Sequence, residues 1–327
     1  MRTLVYMVPR QLSVEERARP LPAAGEIEIA VAAAGICGAD ISGFLGRSRR
    51  RTPPLILGHE LVGRTPDGRR VVADPLIGCG RCVECLRGAK NLCSGLRLLG
   101  MDPVPGCFAE FVAVPASQVY EIPDDLDDAR AIFAEPLANV VHLFRLAAPP
   151  PRFRMGIVGA GTMGSMALKM ALCRGAAEVL VEDVDELRLS AARQMGATLA
   201  VNPEEKPGET RNIAADDLDL VLDASGTEAA RQRAFRLCRP GGTVVLLGMA
   251  SERSELDFGA SIRKEHRALM SFGYTTEDFR RSLELLSAGE IDLTAWTAEM
   301  PLEEGQRAFE RMTGSRRGTL KMVLRVR

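Results

Sequence analysis

"MGIVGAGTMGSMALKMA", residues 155–171, runs from a short apolar stretch through three glycines into a helix-forming segment. Strand, Gly159-Ala160-Gly161-Thr162-Met163-Gly164 and helix, in that order, is the pattern with which a parallel sheet receives a dinucleotide. The first two glycines permit a tight turn and close backbone approach to a pyrophosphate; the third lets the helix pack on the strand. A glycine turn alone is a weak signal, since α/β folds without a nucleotide use one too. The next strand strengthens it. EVLVED, residues 178–183, ends in Asp183, 19 residues beyond Gly164. An acid there accepts hydrogen bonds from the adenosine ribose and repels a 2′-phosphate, which predicts NAD over NADP. Arg188 either reaches the adenosine side or lies on the helix surface.

Working outward, ELRLSAARQMGA (186–197) predicts a helix, and LDLVLDAS (218–225) and GTVVLLG (242–248) predict strands. Strands alternating with helices at this spacing specify a doubly wound parallel sheet and an α/β fold class. Upstream the rhythm differs. EIEIAVAAAGI (26–36), PPLILGHELVG (53–63), RRVVADPLI (69–77) and FAEFVAVP (108–115) are strand-like runs broken by Gly and Pro. APPPRFR (148–154) marks a boundary, and after residue 270 an amphipathic helix, TTEDFRRSLELLSAGE (275–290), precedes a closing strand, GTLKMVLRVR (318–327). The expected domains are therefore 1–147, 148–270 and 271–327. PEEKPGETRN (203–212) is expected to be a solvated loop.

The chain has 327 residues, 46% hydrophobic and 26% charged, with net charge −1, which is the balance of a soluble globular protein of two domains. No basic excess supports nucleic-acid binding. No apolar run is long enough for a membrane span, and the opening MRTLVYMVPRQ lacks the apolar core of a leader. A cytoplasmic address and reduced thiols are expected.

"CGRCVECLRGAKNLC" places Cys79, Cys82, Cys85 and Cys93 at C-x2-C-x2-C-x7-C spacing. Four thiolates on one lobe can close a tetrahedral shell around Zn²⁺, leaving no open position, so the site would be structural. Disulfides and an iron–sulfur cluster compete with that reading; compartment and crowding disfavour the first. Cys107, Cys173 and Cys238 are isolated and are expected to be small core residues. The chain has three histidines. His59, in "GRSRRRTPPLILGHE" (46–60), is either a core histidine or a ligand; His142 is expected to be structural and His266 to lie at the surface. Arg47, Arg49, Arg50 and Arg51 face either a charged ligand or solvent, and a solvated basic loop is the favoured expectation.

Cys37, the Gly58-His59-Glu60 run, the four-cysteine lobe and the glycine fingerprint, in that order, resemble the zinc-containing medium-chain alcohol dehydrogenase family over essentially the whole chain. The likeness is greatest to its polyol (sorbitol) and threonine dehydrogenase branch. It implies a GroES-like, mostly-β catalytic domain made of the N-terminal part and the C-terminal tail, with the NAD-binding Rossmann domain inserted between. It implies two zinc ions per chain: the structural one, and a catalytic one held by Cys37, His59 and Glu135. Asp40 would orient His59, and Glu60 would approach the metal when ligands exchange. Glu135, in FAEPLANVVH, also admits readings as a water-swapping partner or a helix-start carboxylate. Such a metal lowers the pKa of a substrate hydroxyl, whose carbinol hydride passes to NAD.

Three features depart from the family. Ala39 stands in Cys37-Gly38-Ala39-Asp40 where many relatives carry the hydroxyl that starts a proton relay; Ser42 or water would have to replace it. The stretch between Glu60 and Cys79 is shorter. The arginines lie between two expected ligands. The resemblance implies oxidation of a secondary alcohol, or reduction of its ketone, with a small polyhydroxylated substrate. Polyols, sugars, sugar-alcohol phosphates, amino-alcohols and aminocyclitols all fall within this range. A nucleotide-binding member with lost catalysis, acting as a sensor or structural protein, is the alternative that Ala39 suggests. A reductase of activated double bonds conflicts with the retained metal ligands. A homodimer or homotetramer is expected.

Overall fold

The computed structural model describes residues 1–205, 217–314 and 319–326. Most of the loop expected at 203–212 lies outside the described residues. The chain folds as two compact units, one of Met1–Ala138 with Tyr274–Arg327 and a second of Asn139–Gly273. The first division falls inside the helix Ala134–Ala147 rather than at its end, where the boundary is expected from sequence, and the second falls three residues past the expected 270.

The first unit is built on a seven-stranded sheet. Its long strand, Glu26–Ile36, pairs antiparallel with Glu60–Arg64 on one side. On the other it takes Phe111–Pro115 along its first half and Lys321–Arg325 along its second. The sheet thereby brings the ends of three distant segments, Ile36, Glu60 and Lys321, to one place. The core beneath is Ile29, Val31, Ile36, Leu57, Leu61, Phe108, Phe309 and their neighbours, all buried. PPLILGHELVG is not one strand. It splits into Leu55–Ile56 and Glu60–Arg64 because Gly58 takes φ +94°, and a Cβ there would stand 2.5 Å from the Phe108 ring. RRVVADPLI divides likewise into Arg70–Ala73 and Leu76–Ile77.

The second unit is a six-stranded, fully parallel sheet in the order Leu199–Val201, Glu178–Glu182, Arg154–Val158, Leu218–Asp223, Cys238–Leu246, Arg267–Met270. This is the doubly wound order 3-2-1-4-5-6, with the switch point beside the strand that carries the glycine turn. The sixth strand had no sequence signal. It is an edge strand, mostly exposed, so burial imposes no apolar pattern on it. Among the described residues no helix is long and apolar enough to cross a membrane.

Candidate active site and metal centres

Cys37 follows the long strand and caps the helix Gly38–Phe44; its N–H donates to Asp40 Oδ2 at 3.1 Å. That bond holds one oxygen of the buried Asp40. Its Oδ1 lies 3.3 Å from His59 Nδ1 and 3.5 Å from Arg51 Nε, close enough for ion pairing though no contact there is a well-aligned hydrogen bond. With Nδ1 facing Asp40, the other ring nitrogen of His59 is the one available as a ligand. Glu60 follows His59 and opens the next strand. Its Oε2 is bound by Lys321 Nζ, which also donates to Ile36 O at 3.2 Å, while its Oε1 is buried without a hydrogen bond. The pair fits only because residue 35 is glycine: a Cβ there would overlap Glu60 Oε2 and stand 2.9 Å from Lys321 Cε.

The ligand atoms of Cys37, His59 and Glu60 lie within 4.8 Å of one another. Glu135 is outside that set. It opens the helix Ala134–Ala147, and its Oε1 accepts the hydroxyl of Tyr274 at 3.1 Å. The sequence pairs Cys37 and His59 with Glu135 and keeps Glu60 in reserve; the geometry gathers Glu60 with them and holds Glu135 alongside.

Burial and charge oppose each other throughout this cluster. Burial pushes the Asp40 carboxyl up, but His59 and Arg51 outweigh it and hold it at about 2. Burial pulls the His59 imidazolium down, while Asp40 and Cys37 raise it well above the ordinary value. For Glu135 burial wins, and its carboxyl is pushed up to about 7 despite His59. Burial also lowers Lys321, yet Glu60 and Cys37 leave it raised.

The residues fit zinc. Thiolate, imidazole and carboxylate are its usual donors, and ligands 2.0–2.3 Å from one tetrahedral ion stand about 3.3–3.8 Å apart, which a group gathered within 4.8 Å can reach with small side-chain shifts. The orphaned Oε1 of Glu60 is a donor without a protein partner. The four-cysteine lobe fits as well. Its sulfurs lie within 4.8 Å of one another, none in a disulfide. Sulfurs that close could enclose a single ion. Backbone N–H groups support the thiolates: Cys79 N donates to Cys93 Sγ at 3.3 Å and Cys82 N to Cys79 Sγ at 3.4 Å.

In the second unit Gly159 takes φ +105° and a Cβ on Gly164 would overlap the Gly159 carbonyl oxygen, so the turn closes tightly under Thr162 and Met163 at the start of the helix Thr162–Cys173. Asp183 braces this turn: its Oδ2 accepts from Ala160 N at 2.7 Å and its Oδ1 from Asp185 N at 2.9 Å. Arg188 is not a free surface arginine. Its Nη1 is 3.4 Å from Asp183 Oδ2, and a Cβ on Gly161 would stand 4.0 Å from it.

Of the other expectations some hold, and those for Arg51, Cys173 and His266 are corrected. Arg47, Arg49 and Arg50 are exposed, but Arg51 is buried, 5% accessible, with Nε and Nη2 unbonded. Cys107 and Cys238 are core residues, whereas Cys173 is exposed. His142 is buried beside Arg145, and His266 is part-buried, its Nε2 3.2 Å from Cys238 O, instead of lying at the surface. Lys321 and Tyr274 carry no motif that marks them as part of the site. The one available signal is a lysine directly ahead of the apolar run Met322-Val323-Leu324 in the closing strand.

A sheet-borne Cys–His–carboxylate cluster, a four-cysteine lobe and a Rossmann unit on one chain define a zinc dehydrogenase. Residues 23–124 match the alcohol dehydrogenase GroES-like domain and residues 162–288 the zinc-binding dehydrogenase domain. The chain is 32% identical to L-threonine 3-dehydrogenase of Bacillus subtilis (strain 168) over 91% of each, and 30% identical to sorbitol dehydrogenase of the same strain over 99% of this chain and 97% of the relative. A zinc-binding dehydrogenase structure from Sinorhizobium meliloti 1021, solved with NADP, superposes with a TM-score of 0.91 at 29% identity over 99% of both chains. The chain belongs to the zinc-type medium-chain alcohol dehydrogenases, in their polyol and threonine dehydrogenase branch. It is an oxidoreductase acting on alcohols with zinc and a nicotinamide dinucleotide.

Proposed function

We propose that the chain oxidises a secondary alcohol of a small polyhydroxylated or amino-alcohol substrate with NAD⁺ at the Cys37–His59 centre. The convergence of Cys37, His59 and Glu60 beside Asp40 carries this reading. When bound, zinc supplies Lewis acidity that acidifies the substrate hydroxyl, and the nicotinamide accepts the hydride. The chain's own residues do the rest. Cys37 and His59 hold the metal, Asp40 fixes the imidazole ring, and Lys321 holds one Glu60 oxygen while the other is buried without a hydrogen bond. Glu135 is the second carboxylate that exchange at the metal can draw upon. Cys79, Cys82, Cys85 and Cys93 hold the structural ion.

Gly159, Gly161, Thr162, Met163 and Gly164 receive the pyrophosphate, and Asp183 disfavours a 2′-phosphate, although Arg188 beside it softens that repulsion. NAD⁺ is therefore expected to give the higher kcat/KM, with Asp183→Ser narrowing the gap to NADP⁺. Cytoplasmic residence and a homodimer or homotetramer belong to the same reading; fractionation and light scattering check them.

The decisive experiment combines metal analysis with a panel of polyols, sugars, sugar-alcohol phosphates, amino-alcohols and aminocyclitols, followed by nicotinamide reduction, with Cys37→Ala beside it. Two zinc per chain and turnover confined to the parent support the proposal. Two zinc, bound NAD⁺ and no turnover favour the reading raised by Ala39, and Ala39→Ser then decides whether the missing hydroxyl is the cause.

A further inference from the structure

A line of buried polar groups runs from the four-cysteine lobe to Glu135. Lys90 sits in the lobe's short turn Lys90–Leu92, and its carbonyl accepts from Cys93 N at 3.0 Å. Gly78 is wedged between lobe and lysine: a Cβ there would lie 2.9 Å from Cys85 Sγ and 3.1 Å from Lys90 Cβ. The lysine side chain turns inward, its Nζ bound to the Asp74 carboxylate and 2.8 Å from Gln118 Oε1. Asp74 is 1% exposed; its Oδ1 accepts from Leu76 N at 3.0 Å, and the carboxylate is an electrostatic neighbour of the Tyr274 hydroxyl. Tyr274, fully buried, donates to Glu135 Oε1 at 3.1 Å.

The arrangement has a donor shortage at its centre. A tyrosine hydroxyl carries one proton to donate, and two carboxylates flank this one. Asp74 can do without that proton only while an ammonium satisfies it. A buried carboxylate deprived of its cation would compete for the nearest donor.

We propose that Lys90 is a positioning residue for the catalytic centre: by satisfying Asp74 it leaves the Tyr274 hydroxyl to Glu135, and so ties the placement of Glu135 to the closed four-cysteine lobe. The inference rests on the reading of Glu135 as a carboxylate of that centre. It gives the distal metal site a part in catalysis beyond local stability.

The test uses the full chain with zinc in the lobe and Co²⁺ at the Cys37–His59 site, read by metal content, by the visible cobalt spectrum and by kcat/KM on whichever panel alcohol is turned over. Lys90→Met and Tyr274→Phe should shift the spectrum in the same direction and lower kcat/KM about ten-fold. Lys90→Met combined with Asp74→Asn, which removes the competing carboxylate, should bring both readouts back toward the parent. A lysine that merely stabilises the lobe predicts no such rescue, and absence of rescue overturns the proposal. An unchanged spectrum in Tyr274→Phe overturns it as well. If Lys90→Met alone does not fold, the double variant, which buries no lone charge, and Tyr274→Phe, which loses one oxygen, decide it between them. Glu135→Gln separates the two levels. If it leaves the cobalt spectrum unmoved, Glu135 is not of the centre and the functional reading fails there; if it moves the spectrum while Tyr274→Phe and Lys90→Met do not, only the coupling fails.

Discussion

The two candidate metal centres are built by opposite means. The four-cysteine lobe is one continuous run of fifteen residues, Cys79 to Cys93, with Cys79 exposed and Cys93 buried. Its ligands are brought together by two short turns and by backbone N–H groups aimed at sulfur. The Cys37–His59–Glu60 centre draws on strands far apart in sequence, and its buried anions are matched by Arg51 and Lys321 from still other segments. The local site needs only spacing. The dispersed site needs a surrounding set of charges, because each buried carboxylate without a partner would cost several kcal/mol. A change at the lobe should therefore act mainly on metal retention, and a change at the dispersed centre on chemistry and stability together.

The sharpest contrast is between Cys37→Ala and Cys85→Ser. Lewis-acid stabilisation is worth several kcal/mol at about 1.36 kcal/mol per decade of rate, so Cys37→Ala should lower kcat/KM by about a thousand-fold or more while the chain stays folded. Cys85→Ser should release about one zinc per chain, lower the melting temperature and reduce kcat/KM only about ten-fold, through Lys90. If the folded Cys85→Ser protein loses as much turnover as Cys37→Ala, the division of labour between the centres is wrong.

Arg51 comes next. Its side chain is 5% exposed and that of its partner Asp40 0%. Arg51→Met leaves Asp40 with one neighbour, His59, for its charge, and should cost about 3 kcal/mol in denaturant unfolding. Adding Asp40→Asn should recover much of that loss, although His59 is then held less firmly and its metal more weakly, by about ten-fold. Unfolding within ~0.5 kcal/mol of the parent would show that the arginine is not compensating Asp40.

Gly35→Ala follows. The new methyl group must push apart the buried Glu60–Lys321 pair, and overpacking of this kind costs about 1–3 kcal/mol. Lys321 should give some ground, so the expected signature is lowered stability with weakened catalytic-metal binding and an undisturbed lobe. Metal analysis showing loss from the lobe first would contradict it.

How far each region could be read from the sequence follows from the same difference. The lobe is legible because all its ligands share one short segment. The parallel sheet is legible because strand, glycine turn and helix alternate at fixed intervals, with Asp183 at a set distance from Gly164. That Cys37 and His59 come together was readable only from the order of motifs. Nothing local in Lys321 reveals that it meets Glu60, 261 residues away. Arg51 looked like its three exposed neighbours, and its burial under Gly43, whose Cβ position lies 2.7 Å from Arg51 Cδ, is a tertiary fact. The sequence points to Glu135 as the third ligand and leaves Glu60 in reserve, and only the pairing of the strands beginning at Glu26 and Glu60 puts Glu60 beside Cys37. The edge strand Arg267–Met270 is illegible in the sequence for the converse reason, since an exposed element is under no demand to alternate.

The smallest effect tests the lobe's tolerance. Gly95 lies just beyond Cys93, and a methyl group there would meet Cys79 Cβ at 3.7 Å and Cys93 Sγ at 4.0 Å, both ordinary van der Waals distances. Its backbone is not left-handed and the residue is exposed, so alanine brings neither strain nor a buried clash. Gly95→Ala should therefore stay within ~0.5 kcal/mol of the parent, keep both metals and leave kcat/KM within about two-fold. The same substitution at Gly35 is expected to disrupt its own centre, although both glycines stand within a few ångströms of a candidate metal ligand. Space decides between them: Gly35 is packed against the buried Glu60–Lys321 pair, whereas Gly95 is exposed and meets only van der Waals contacts. Release of the lobe zinc by Gly95→Ala would mean that the four sulfurs tolerate no more displacement than the buried centre does, and the contrast between the two sites would then reduce to their positions in the sequence.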